Sequence, residues 1–332
     1  MAEKIAIDFG SLTTNIYKLG SGVVLSEPTV AAVSGDKAEI KAIGFEAQKL
    51  IGKTADNTKI VFPVFEGEIV NESVATKLLL SFLRKIGITS KLLSVHAVIS
   101  VPCGITPEML DKYYRVAKSA GINKVDFVEA PLLSALGQRL PLTEFYPCFL
   151  IDMAGGTTNI SALSLDGIIA GVSVNFGTNK ITTDIIDYVA EIYGLQIGLL
   201  TAQRIRREIG SLEQNDALSI VVNGRDVDKG IPRAVSIKAM DVIEPIRRYF
   251  DKIAEIALDI IVRLPPEVSA EIRHSGIYLS GEGSMVYGLE KYFSSKFDMP
   301  ITVAENPDMV IALGGGIAVG SPRMLNKIKI KL

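Results

Sequence analysis

Residues 151–160 read IDMAGGTTNI, and residues 7–16 read IDFGSLTTNI. The two stretches align without a gap and share Ile, Asp, Thr, Thr, Asn and Ile at matching positions. In each, an apolar run ends in an aspartate, small residues follow, and hydroxyl side chains come next. The same turn therefore occurs twice in one chain, which indicates an internal duplication.

Strand and helix patterns alternate after each copy of the turn. In the first half, residues 72–87 and 106–121 have helical spacing, and VHAVISVP between them is typical of a strand. From residue 147 the pattern restarts with a hairpin, two helices and a small β insertion, followed by a long helix over residues 240–264. A glycine-rich helix closes the chain. The sequence thus predicts two α/β lobes that face each other across a cleft.

Composition excludes several classes of protein. The chain has 332 residues, 48% of them hydrophobic, and a net charge of −2, which argues against a nucleic-acid partner. No apolar run reaches the roughly 18 residues of a membrane-spanning helix, and MAEKIAID lacks the pattern of a signal peptide. The two cysteines, Cys103 and Cys148, are interpreted as thiols in a reducing cytoplasm.

The repeated turn suits the binding of a polyphosphate. Small residues let a tight hairpin bring backbone N–H groups close to an anion, and threonine hydroxyls add donors. An aspartate at the strand end repels phosphate, but it can hold a hydrated Mg²⁺ that phosphate also binds. A third glycine turn, LSGEGSMVYGL at residues 279–289, offers a further backbone approach to a nucleotide. The alternative is an inherited duplication that no longer binds a ligand.

With these three turns in order, the chain resembles the actin-like ATPase superfamily, and within it the bacterial MreB proteins. The likeness covers nearly the whole sequence. The segments that carry it are GVVLSEPTVAAV, AIGFEAQKLIGKT, FPVFEGEIVN, ISVPCGIT, VEAPLLSALG and TAQRIRREIGS. This resemblance implies an α/β actin-like fold with two duplicated lobes, divided into four subdomains around a nucleotide cleft. Subdomain IA would comprise residues 1–28, 73–140 and 307–332, IB residues 29–72, IIA residues 141–180 and 240–306, and IIB residues 181–239.

The resemblance also assigns a site for ATP and Mg²⁺. Asp8 and Asp152 would hold Mg²⁺ through water, while Glu129 would position the attacking water with the help of Thr158. The other residues expected to contact the nucleotide belong to the three turns and to one helix: Gly10, Ser11, Leu12, Thr13, Gly155, Gly156, Thr157, Gln203, Arg207, Gly281, Gly283 and Met285.

The chain departs from the family pattern at positions that bear on hydrolysis. Ala154 and Asn159 replace a glycine and an acid in the second turn, and Ala130 replaces one of two consecutive acids. Gln203 stands where a glutamate accepts hydrogen bonds from ribose, and Glu282 replaces a glycine beside the base. Nucleotide binding is expected to tolerate these changes, whereas hydrolysis is expected to be slow.

Three functional hypotheses follow from these features. The first is an ATPase that polymerises into filaments on the cytoplasmic face of the cell membrane, determines cell shape, and works with cell-wall synthesis or adaptor proteins. For this hypothesis, Leu92 and Leu93 in the polar turn GITSKLLS are the expected lipid contact. The second is a weakly hydrolysing paralogue with a scaffold role or a role in positioning an organelle or plasmid. The third is a small-molecule kinase of the same superfamily, for which we find no second acidic cluster.

Overall fold

The computed structural model describes residues 2–35, 38–55, 57–88, 94–142, 144, 146–165, 167–214 and 216–331. In the first half, the strands are β1 (Glu3–Phe9), β2 (Thr13–Lys18), β3 (Gly22–Pro28), β4 (Ala31–Ser34), β5 (Glu39–Ile43), β6 (Thr58–Val61), β7 (Val64–Phe65), β8 (Glu68–Ile69), β9 (Val95–Val101) and β10 (Lys124–Glu129). The helices are α1 (Gly44–Gln48), α2 (Glu72–Lys85), α3 (Pro107–Ser119) and α4 (Ala130–Gly137).

The second half repeats this organisation. Its strands are β11 (Cys148–Met153), β12 (Thr158–Ser164), β13 (Gly167–Val174), β14 (Leu195–Gln196), β15 (Ser219–Asp226), β16 (Pro232–Lys238), β17 (Ile277–Ser280) and β18 (Ile301–Val303). Its helices are α5 (Thr178–Tyr193), α6 (Leu199–Ile209), α7 (Ala239–Arg263), α8 (Pro266–Ser275), α9 (Leu289–Phe297), α10 (Val310–Gly320) and α11 (Pro322–Ile328), with a 3₁₀ turn at Glu282–Met285.

The two large sheets share one topology, which confirms the duplication. One has the strand order β3-β2-β1-β9-β10, and the other has the order β13-β12-β11-β17-β18. In both, the first three strands along the chain are antiparallel and the last two run parallel to the first. Asp8 pairs with Asn15 in the first sheet, exactly as Asp152 pairs with Asn159 in the second. The repeated turns thus occupy equivalent places in two related lobes.

Helices α4 and α10 cross at very short range; α10 packs on the first sheet, and α4 contacts strands of both large sheets. A Cβ atom at Gly314 would lie 1.8 Å from the carbonyl oxygen of Leu133, and one at Gly137 would lie 2.1 Å from the carbonyl oxygen of Val310. Each of these two glycines therefore lies directly against the backbone of the opposite helix. Gly314 lies within α10, the glycine-rich helix that the sequence predicts, although a further helix, α11, follows it and closes the chain.

Smaller sheets extend from each lobe. Strands β4, β5 and β6 form one beside the first lobe, and β14, β15 and β16 form another beside the second, where the sequence predicts an insertion. Separate hydrophobic clusters fill the two lobes. The four subdomain boundaries given above remain a prediction. Among the described residues, no helix is long and apolar enough to cross a membrane.

Candidate functional site

A cavity of about 550 Å³ opens between the two lobes, and it is lined by all three glycine turns. Its volume lies within the usual range for small-molecule sites. The predicted residues that line it are Asp8, Gly10, Ser11, Leu12, Thr13, Asp152, Gly155, Gly156, Thr157, Arg207, Gly281 and Met285. The structure therefore brings most of the predicted site residues together around one space.

The two repeated turns face each other at close range across this cavity. The same backbone hydrogen bond closes both, from Gly10 N to the carbonyl of Thr13 and from Ala154 N to the carbonyl of Thr157. A Cβ atom at Gly155 would lie 2.4 Å from Leu12 Cβ. Because Gly155 has no side chain, its backbone can lie directly against the first turn.

Asp8 and Asp152 have equivalent surroundings at the ends of β1 and β11. The Ser100 hydroxyl donates to Asp8 Oδ1 at 2.6 Å, and the Ser280 hydroxyl donates to Asp152 Oδ1 at 2.8 Å. Asn159 donates to the other oxygen of Asp152 at 3.1 Å. In the described part of the chain, neither carboxylate has a cationic partner. Two unpaired carboxylates with spare oxygen lone pairs fit a hydrated Mg²⁺, which prefers oxygen ligands and retains water.

The surroundings of these carboxylates disfavour their charged forms. Burial raises the pKa of Asp8 to about 6 and the nearby Asp152 charge adds to the rise, while hydrogen bonds from Ser100 and Asn15 oppose it. Burial also raises the pKa of Asp152, against hydrogen bonds from Ser280 and Asn159. A divalent cation would relieve the repulsion between the two charges.

The raised pKa of Asp8 makes stability depend on pH in the absence of metal. A carboxyl group whose folded pKa exceeds its unfolded value stabilises the fold fully below pH 4, and this contribution is lost as the pH rises through about 6. Asparagine has no proton to lose and so never becomes charged. We therefore expect Asp8→Asn to be more stable than the unsubstituted chain at pH 7.5, by about 1–3 kcal/mol. The two chains should have similar stability at pH 3.5, where Asp8 is mostly protonated in both the folded and the unfolded state. Urea unfolding in EDTA at both pH values measures this, and a pH-independent difference would contradict it.

The third turn and helix α6 form another wall of the cavity. Glu282 accepts a hydrogen bond from Arg206 Nη2 at 2.8 Å and another from the Thr178 hydroxyl, and Arg207 Nη2 lies 3.6 Å from its second oxygen. Burial alone would raise the pKa of Glu282, but the Arg206 charge, these hydrogen bonds and Arg207 together lower it. The extra acid noted in the sequence is thus neutralised by arginines.

Four predicted residues do not line the cavity. The Thr158 hydroxyl lies on the opposite side of β12, where it bonds to the carbonyl of Phe176 and to the Tyr249 hydroxyl, both at 2.9 Å. Side chains alternate along a strand, so Thr157 and Asn159 face the cavity and Thr158 cannot. We therefore withdraw its role as helper.

The other three lie close to the cavity wall. Glu129 precedes α4 and accepts a hydrogen bond from Gly104 N at 2.6 Å. Gln203 is only 6% exposed and is not among the lining residues, although Arg206 and Arg207 of the same helix are. A Cβ atom at Gly283 would meet Met153 Cβ at 2.7 Å, so this glycine packs against β11.

Several lining residues escaped the sequence analysis. Ser100 lines the cavity near the end of β9, and Asn15 and Asn159 of the repeated motif line it too; the fully buried Ser280 does not, but it contacts Asp152 as Ser100 contacts Asp8. A signal existed for all four, since a polar residue at the end of a buried strand is unusual unless it serves a site. Gly67, whose N–H donates to the Ser11 hydroxyl at 3.2 Å, comes from the distant β7–β8 hairpin and had no such signal.

Comparison with known proteins identifies relatives of this chain. The family model described as MreB/Mbl protein matches residues 2–327. The cell shape-determining protein MreB of Escherichia coli strain K12 is 32% identical over 324 residues, which are 96% of this chain and 93% of that protein.

Two solved structures have a similar fold. MreB5 of Spiroplasma citri, crystallised with AMPPNP, has a TM-score of 0.91 and 26% identity, and the alignment covers 96% of each chain. MamK in its double helical filament has a TM-score of 0.82 over 97% of this chain and 99% of that one, but with 17% identity it supports the fold alone. These structures confirm the actin-like fold that the sequence predicts.

Proposed function

This chain belongs to the MreB/Mbl protein family, and we propose that it is an ATP-binding bacterial actin homologue that polymerises into cytoskeletal filaments and determines cell shape. The observation that carries the proposal is the convergence of two equivalent turns on one cavity, with a buried carboxylate behind each. The nucleotide complex of the Spiroplasma citri relative supports the choice of ligand.

In this proposal the residues of each turn have distinct tasks. Backbone N–H groups at Gly155 and Gly156, with the hydroxyls of Ser11 and Thr157, bind the phosphates. Asp8 and Asp152 would hold a hydrated Mg²⁺, which would neutralise charge on the phosphates. Because ATP contacts both lobes, it stabilises their closed arrangement, and a ligand that favours one arrangement shifts the population toward it. The closed subunit would then add head to tail, which produces open filaments.

Sedimentation of the purified protein with and without Mg·ATP tests the proposal. We expect filaments to pellet with ATP and to be visible by negative-stain electron microscopy. ATP binding measured by calorimetry serves as the separate control for the site. A protein that binds ATP but stays monomeric at high concentration would contradict the filament function and favour a scaffold protein.

Slow hydrolysis has specific structural support. Glu129 is held by Gly104 N, Thr158 faces the core, and Ala130 provides no second acid. We therefore keep a weakly hydrolysing paralogue as the second candidate. ATPase activity itself is part of the proposal, with Glu129 as the residue that orients the attacking water.

Glu129→Ala is expected to reduce phosphate release by about 10²–10⁴-fold, the usual contribution of a positioned acid or base. Filaments should still assemble in ATP, because no phosphate contact is lost. Phosphate release and sedimentation are measured on the same samples. The exposed Glu108→Ala on α3 is the matched control, and equal turnover in both variants would show that Glu129 only precedes a helix.

We further propose that filaments lie on the inner face of the cell membrane and recruit cell-wall synthesis or adaptor proteins. The expected lipid contact, Leu92 and Leu93, lies outside the described residues. Two buried leucines contribute about 3–6 kcal/mol, which is too little for one subunit, but repetition along a filament multiplies the effect.

Leu92→Ser combined with Leu93→Ser is therefore expected to abolish flotation of filaments with anionic liposomes and to leave sedimentation unchanged. The matched control replaces Leu165 with serine, since Leu165 is an exposed leucine of a different turn in the sequence. Undiminished flotation of the double variant would discard this turn as the anchor.

A further inference from the structure

We propose that Glu282 recognises the ribose hydroxyls of the bound nucleotide and makes the site selective for ribonucleotides over deoxyribonucleotides. The inference rests on the proposed ATP site and concerns the part of that site that binds the ribose of ATP. From the sequence alone, Glu282 is only an added charge beside the base.

The two oxygens of the Glu282 carboxylate have different surroundings. Oε1 accepts hydrogen bonds from both Arg206 Nη2 and the Thr178 hydroxyl. The nearest donor to Oε2 in the described chain is Arg207 Nη2 at 3.6 Å, which is longer than a hydrogen bond. Since Glu282 lines the cavity, Oε2 retains acceptor capacity for a ligand.

The carboxylate is also held rigidly. Its main partner, Arg206, has a side chain only 4% exposed, and Thr178 is completely buried. Thr178 is the first residue of α5 and Arg206 belongs to α6, and these two helices pack against each other. An acceptor fixed in advance loses little entropy when it binds a ligand.

The order of residues along the cavity wall places Glu282 at the ribose. Thr178 N donates to the carbonyl of Ala154, and Asn179 N donates to that of Gly155, so Thr178 adjoins the second phosphate turn. Glu282 accepts a hydrogen bond from the Thr178 hydroxyl, and the apolar Met285 and Val286, which follow Glu282 in the chain, also line the cavity. A nucleotide has the same order, namely phosphates, ribose and base.

The chemistry of the ligand supports this placement. At neutral pH phosphate oxygens only accept hydrogen bonds, so a carboxylate repels them, whereas the 2′- and 3′-hydroxyls of ribose donate. Gln203, which the resemblance placed at the ribose, is a neutral amide that is only 6% exposed and does not line the cavity. On this wall of the described cavity, Glu282 is therefore the carboxylate available to accept from ribose.

The test compares the affinities of Mg·ATP, 2′-deoxyATP and 3′-deoxyATP for the purified chain. We expect ATP to bind about tenfold to hundredfold more tightly than at least one deoxy analogue, because losing a hydrogen bond to a charged group weakens binding by about that factor. Glu282→Gln should reduce the ratio to near one. Arg206 and Thr178 both donate to one oxygen, so they hold the amide carbonyl there and place its NH₂ group at the position of Oε2.

The control is Glu208→Ala, an exposed acid of α6 that does not line the cavity, and it should keep the full ratio. Thermal unfolding verifies that each variant is folded. This inference alone would be overturned if the chain bound ATP and both deoxy analogues with equal affinity. It would also be overturned if folded Glu282→Gln kept the full ratio of affinities. Failure of the unsubstituted chain to bind ATP would overturn the proposed function as well. The analogue comparison on that chain requires no variant.

Discussion

Asp152→Asn is expected to weaken ATP binding in the presence of Mg²⁺ by about 10- to 100-fold, the usual effect of losing a group that orients a metal and its waters. In EDTA the same substitution should leave ATP affinity unchanged or raise it. The reason is that the buried carboxylate repels phosphate unless a cation lies between them, and asparagine removes the charge while keeping the size. Calorimetric titrations of ATP with and without Mg²⁺ measure both effects.

Asp8→Asn should behave in the same way, because its surroundings in the first lobe match those of Asp152 in the second. The control is Asp259→Asn, an aspartate paired with Arg263 on the exposed face of α7. Equal loss of affinity with and without Mg²⁺ would indicate that the aspartates only shape the turns, and the assignment of the metal site would be wrong.

Gly314→Ala is expected to lower the free energy of unfolding by about 3 kcal/mol or more, at the upper end of the cost of overpacking. The added Cβ atom would lie 1.8 Å from the carbonyl oxygen of Leu133, and backbone atoms cannot move aside as a flexible side chain does. Relief therefore requires that α10 and α4 separate, although α10 packs on the first sheet and α4 packs on strands of both large sheets. The midpoint and slope of urea unfolding give the change.

Gly320→Ala in the same helix is the matched control and should have the opposite sign. A Cβ atom there meets only Leu19 Cδ1 at 3.2 Å, the end of a side chain that can turn away. Alanine is a better helix former than glycine by up to about 1 kcal/mol, so stability should stay the same or rise. Similar losses in both variants would show that the helix crossing is not the cause.

One part of the candidate site follows from local sequence and another part does not. The repeated motif identified Asp8, Asp152 and the small residues of both turns, because a motif of ten residues contains its own turn geometry. Thr158 was misassigned because the motif alone does not say which of two consecutive threonines faces the cavity. Its register against β13 and the contact with Tyr249 determine this.

Sequence by itself determined the duplication, the alternation of strands and helices, the α/β class and the likeness to MreB proteins. These properties depend on periodicity and on residues close together in the chain. Only the tertiary structure brought Ser280 to Asp152, Gly67 to Ser11, and Arg206 to Glu282, because each pair is separated by more than fifty residues. Long-range partners are chosen by which faces pack and at what distance. No local sequence pattern specifies these long-range partners. The partners determine which acid is neutralised and which acid can bind a ligand.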